Sequence, residues 1–68
     1  MKSISGKALA KILERNGWVL LRIQGSHYIY GKAGHDPRIS VPIHRNQMLK
    51  TGLLHHLMKI AGLDEKDL

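Results

Sequence analysis

The chain contains no cysteine among its 68 residues. Disulfide staples and thiolate metal sites are excluded, so the thin core open to so short a chain must hold by packing, or with help from a partner. No apolar run approaches the roughly 20 residues of a membrane span. Met1 to Leu20 also lacks the apolar block and small-residue cleavage site of a signal peptide. These absences lead us to expect one cytoplasmic domain over residues 1–68, with no membrane partner: no helical stretch joins a wide apolar face to flanking Trp or Phe. Acidic side chains are scarce, five Asp and Glu against eleven Lys and Arg, for a net charge of +6. Three of the five lie in the tail at Asp64, Glu65 and Asp67, which leaves the body strongly cationic. A basic domain of this size suits a polyanion, because each Lys or Arg set on a phosphate releases condensed counterions. Nucleic acid is the leading class of partner.

The pattern of what is present predicts five elements. Ala8, Leu9, Ile12 and Leu13 fall at helical spacing within Ser5 to Asn16, with Ser3 or Ser5 as N-cap and Gly17 as stop. Lys7, Lys11 and Arg15 recur every four residues on another face, a stripe that suits a phosphate backbone and equally a solvated helix surface. Trp18 to Gln24 and His27 to Lys32 read as strands joined at Gly25-Ser26, and Ala33 to Pro37 as a turn cluster. A third strand is expected from Arg38 to Val41, stopped by Pro42. After a polar connection from His44 to Thr51, Leu54, Leu57, Met58 and Ala61 mark a second helix ending at Gly62, with Asp64 capping a last turn that folds Leu68 back. Helix, three strands, helix implies an α+β fold, two helices on one face of a three-stranded antiparallel sheet. Strict alternation sends Trp18 and Leu20 to one face and Val19, Leu21 and Ile23 to the other. Two helices cover one face only, so a hydrophobic strip is expected on the far side of the first strand, to be covered by a partner protein or by a second copy of the chain.

Five histidines are the candidates for proton transfer. His27 opens a strand beside a tight turn, where the backbone is accessible to a large ligand, although residue pattern alone does not separate a catalytic from a passive strand histidine. His44, at the strand exit, is either a second proton-transfer group or, as we favour, an ordering group for the loop. His55 and His56 point about 100° apart on a helix and cannot share one ligand. His35 sits in a turn. No His-x-x-x-His, paired-carboxylate, Gly-x-Ser-x-Gly or phosphate-loop spacing occurs, so neither a metal nor another cofactor is expected. Metal-free acid–base chemistry on RNA remains, since the ribose 2′-hydroxyl is an internal nucleophile. Arg22, across the tight turn from His27, is the candidate to steady the phosphate, or else an ordinary surface charge.

The run Gly25-Ser26-His27-Tyr28-Ile29-Tyr30 resembles the Gly-Ser-His strand signature of the HicA (YcfA) family of toxins. Asn16 to Arg22 resembles that family's helix end and first strand, Val41-Pro42-Ile43-His44 its strand exit, and Lys50 to Leu63 its final helix. The likeness covers almost the whole chain in order. It implies a double-stranded-RNA-binding-domain-like fold, endoribonuclease cleavage of mRNA (an mRNA interferase) through His27, and neutralisation by a HicB-type antitoxin. On this reading Gly25 and Ser26 set the approach to His27, and the substrate-binding set is Lys7, Lys11, Arg15, Arg22, Gly25, Ser26, Tyr28 and His44. Leu53 stands where the family often has Thr, so the second helix should be capped by Thr51 or Asn46. The rival reading keeps the fold and drops the chemistry, leaving a non-catalytic module that binds double-stranded RNA.

Overall fold

The computed structural model describes residues 3–68. Met1 and Lys2, included in the expected domain, lie outside the described residues. Ser5 adopts the extended conformation of an N-cap, its Oγ accepting the Ala8 N–H at 3.1 Å, and α1 runs Gly6–Arg15. Gly6 has a packing reason: a Cβ there would overlap the Pro42 carbonyl oxygen, so α1 starts directly against the end of the third strand. Leu9 and Leu13 of α1 are fully buried. Each such burial contributes roughly 1.5–3 kcal/mol.

Strands β1 (Val19–Gln24), β2 (His27–Lys32) and β3 (His35–Pro42) form an antiparallel meander with β2 in the centre. The third strand begins three residues earlier than expected. Ala33 and Gly34 alone make the turn, and the register steps from Tyr30↔Ile39 to Lys32↔His35, so Asp36, Pro37 and Arg38 bulge opposite Gly31. On an edge strand, within a bulge, Pro37 need not donate to the ladder.

A second bulge corrects the reading of β1. Its register steps between Leu20 and Arg22, from Leu20↔Tyr30 to Arg22↔Ile29, so Leu21 is the extra residue. Leu20 and Ile23 therefore share the face of Tyr28 and Tyr30, while Val19 and Arg22 share that of Gly31 and Ile29. Ile23 does not lie with Val19, as strict alternation predicted. All six residues of β1 are exposed, with Val19, Leu20, Leu21 and Ile23 at 39–60 %. The unpartnered apolar strip is the edge strand itself, on both of its faces, and not a stripe confined to the far side.

Tyr30, Ile39 and Val41 pack beneath α1 and α2 (Thr51–Ala61), with Trp18 closing one end. This is the expected α-β-β-β-α arrangement, the double-stranded-RNA-binding-domain-like order with both helices on one face of the sheet. The segment before α2 does more than connect. Leu49 is buried, its N–H donating to the Ile4 carbonyl at 2.9 Å, and Met48 bridges Ser5. At the far end Gly62 is left-handed (φ 71°), and the Leu63 N–H reaches back to the Met58 carbonyl at 2.9 Å, a Schellman closure. Asp64 caps the 3₁₀ turn Glu65–Asp67, which returns Leu68 to the core. Among the described residues no helix is long and apolar enough to cross a membrane.

The start of α2 departs from expectation. Its N-cap is Lys50, extended but with no side-chain hydrogen bond; Thr51 is already helical and Asn46 lies back in the loop, so neither caps. Lys50→Ser should therefore stabilise the fold by about 1 kcal/mol, read as a higher denaturant midpoint at unchanged slope. An unshifted midpoint would mean that water already satisfies the first turn.

Candidate nucleic-acid interface and active face

The turn between β1 and β2 needs a positive φ, which Gly25 supplies at 59°. Ser26 then ties this turn to the exit of β3: its carbonyl accepts the Ile43 N–H at 2.8 Å, and its Oγ lies 3.3 Å from His44 Nε2. His44, favoured from the sequence as an ordering group for the loop, thus touches Ser26, the residue before His27. His27 pairs with Gln24 on one side and Pro42 on the other. Tyr28 and Tyr30 turn toward the helices, so alternation turns His27 to the uncovered face. It is exposed there, and among the described residues its ring makes no hydrogen bond.

Arg22 shares that face as the register partner of Ile29, which places it diagonally across from His27, roughly 7–8 Å away between Cα atoms. Arg38 joins them, a residue the sequence reading missed. Its Nη1 lies 2.8 Å from where a Gly31 Cβ would stand, so its guanidinium rests over Gly31 on the uncovered face, beside Leu21. The β3 bulge swings it inward, and no local signal announces that. Ile29 is buried between Arg22 and Ser40 although it lies outside the main core. An exposed histidine and two guanidiniums therefore occupy one face, Arg22 diagonal to His27 and Arg38 farther along it, over Gly31.

The remaining predicted residues divide differently. Lys7 and Lys11 lie on the other side of the sheet, where they line a groove of about 580 Å³ with Tyr28, Arg45 and Asn46. Arg15 is in neither place. Tyr28 follows His27 but points into this groove, so the structure does not bring the two side chains together. Glu14 lies in the same wall, its Oε2 accepting the Tyr30 hydroxyl at 2.9 Å. Burial and that hydrogen bond to Glu14 raise the Tyr30 pKa well above its usual value and keep the phenol a donor. Arg45 is the one non-glycine among the described residues with positive φ, 54°. That conformation costs roughly 1–2 kcal/mol. Among the described residues no three His, Asp or Glu side chains converge as a metal site.

No curated protein matches the chain. The family model of the HicA toxin of bacterial toxin–antitoxin systems matches residues 6–63. That span starts with α1 and ends one residue past the Gly62 cap, so it takes in the sheet, the His27 face and the helix-side groove. A match over most of the chain, on a helix–sheet–helix frame carrying the Gly-Ser-His turn, shows that the protein belongs to the HicA toxin family.

Proposed function

We propose that this toxin is a metal-independent endoribonuclease that cuts mRNA by acid–base catalysis at His27 and is silenced by a HicB-type antitoxin. The observation that carries this reading is an exposed, unpaired His27 imidazole on the same sheet face as Arg22 and Arg38. In the reaction the 2′-oxygen attacks the adjacent phosphorus and gives its proton to a base. The P–O5′ bond breaks, and the departing 5′-oxygen takes a proton from an acid. His27 supplies at least one of these transfers, with His44 the nearest further histidine, held through Ser26. Arg22 offers a two-pronged donor to the phosphate as charge accumulates on its oxygens, and Arg38, over Gly31 farther along the same face, is placed for a neighbouring phosphate of the strand. The direct test is cleavage of an unstructured RNA by the purified chain in EDTA, with the ends identified. Products bearing 2′,3′-cyclic phosphate and 5′-hydroxyl ends are expected. Loss of activity in EDTA would overturn the metal-free mechanism.

A specific observation favours the second reading, a non-catalytic RNA-binding module: Lys7 and Lys11 line a groove on the sheet side away from His27. Binding without any cut product, at enzyme in excess over RNA, would select it.

Membership of a toxin–antitoxin family implies an antitoxin partner. Apolar β1 is the surface that calls for cover, and acidic groups on the partner complement the cationic body. On this proposal the antitoxin occludes both β1 and His27, so saturating antitoxin reduces cleavage to background. A saturated complex that still cuts RNA would refute this. Self-association through β1 competes for the same edge, and sedimentation of the free chain reports it.

A further inference from the structure

We propose that the groove between α1 and the β3–α2 loop is a guanine-nucleotide subsite for single-stranded RNA, with the phosphate on Lys7, Lys11 and Arg45 and the base edge on Glu14. It rests on the reading that the substrate is RNA and adds a sequence preference to it.

Size, charge and conformation lead to the same ligand. At about 580 Å³ the groove falls in the range of small-ligand sites and admits one nucleotide. Its three cations form no ion pair among the described residues, so they are available to an anion. The loop holds Arg45 in a conformation that L residues avoid, and such a residue at a groove wall marks a position shaped for a task. A surface that only follows phosphates has no use for a carboxylate in its wall. Glu14 is nonetheless there, fixed by the Tyr30 hydroxyl. A carboxylate accepts N–H groups, and among the four RNA bases guanine alone presents two adjacent N–H donors, at N1 and N2, on its pairing edge. Asn46 carries the amide donor that guanine O6 requires, and the half-buried Tyr28 ring offers a stacking surface. Because Tyr28 follows His27 on the opposite face, an RNA strand turning over this end of the sheet puts the bound guanine near the phosphate at His27. Cleavage then falls at a fixed offset from a guanine.

The test uses 2′-O-methyl hexanucleotides, which lack the nucleophile and cannot be cut: one with a single guanine among uridines and one with adenine in its place. Fluorescence anisotropy with the wild-type chain should give about tenfold tighter binding to the guanine probe. Glu14→Gln retains an acceptor for Tyr30 and should bring the two probes within twofold of each other. Arg45→Gly relieves the positive φ, so its melting temperature should not fall, yet both probes should bind about tenfold more weakly at low salt. Equal wild-type affinity for the two probes, or an Arg45→Gly chain that binds as tightly as wild type, overturns the subsite. So does an Arg45→Gly chain that loses affinity for the antitoxin and not for the probes, which makes the groove a protein contact. The nuclease reading fails separately: guanine-selective binding with no RNA cleavage leaves the subsite standing, and cleavage indifferent to guanine removes the subsite alone.

Discussion

Replacing His27 by alanine is expected to lower single-turnover RNA cleavage by about 10²–10⁴-fold, the usual contribution of a positioned acid or base, and to abolish growth arrest on expression. RNA affinity should stay within severalfold of wild type, since the cations at Lys7, Lys11, Arg22, Arg38 and Arg45 are untouched. The fold should survive as well. His27 is exposed, its ring makes no hydrogen bond, and the strand pairing to Gln24 and Pro42 runs through backbone. A drop in both cleavage and affinity would point to a binding role for His27, and undiminished cleavage would remove it from the chemistry. The comparison needs enzyme in excess over RNA, so that product release does not mask the step in which the P–O5′ bond breaks.

The second large effect is the response to salt. If Lys7, Lys11, Arg22, Arg38 and Arg45 each meet a phosphate of single-stranded RNA, the logarithm of affinity falls against that of salt with a slope of roughly −0.7 per contact. Five contacts give a slope of about −3.5, and a fourfold rise in salt weakens binding roughly a hundredfold. Removing Lys11 should reduce the slope by about 0.7 for every RNA sequence tested. A flat salt response would instead assign the +6 charge to solubility or to a protein partner. Wild-type chain and Lys11→Ala, titrated at several salt concentrations, decide the matter.

Much of the frame was legible because local chemistry dictates it. Ser5 before an apolar period and Gly62 after one mark helix ends whatever surrounds them, and the Gly25-Ser26 pair between β-branched runs marks a hairpin. The departures share a physical cause, since each is settled by register or long-range pairing. Leu21 slips out of alternation because β1 must match β2 on both sides of a bulge, and Pro37 enters a strand because it falls in a bulge of the edge strand β3, where its missing N–H costs the ladder nothing. Leu49 becomes core by pairing with Ile4, 45 positions earlier. At the candidate site, the turn motif singles out His27 and its Gly-Ser approach, and alternation separates Tyr28 from His27, but nothing local showed that Lys7 and Lys11 would line a groove with Tyr28 on the opposite side of the sheet. Nor did it show that Arg38 would fold over Gly31, that Arg45 would be held left-handed, or that His44 would be tied to Ser26 across 18 residues.

The bulge at Leu21 bears on what can pair with the open edge of β1. A strand laid along the open edge of β1 meets a ladder that steps by one residue midway. A straight strand can stay in register above that step or below it, and each backbone group it leaves buried and unpaired costs about 1–3 kcal/mol. Only a strand with a matching irregularity bonds along the full edge. If the antitoxin adds a strand to this edge, discrimination between a cognate antitoxin and a foreign one is partly written in backbone geometry. Side-chain drift on either protein alters it little, and a single-residue insertion or deletion in the pairing strand reassigns it.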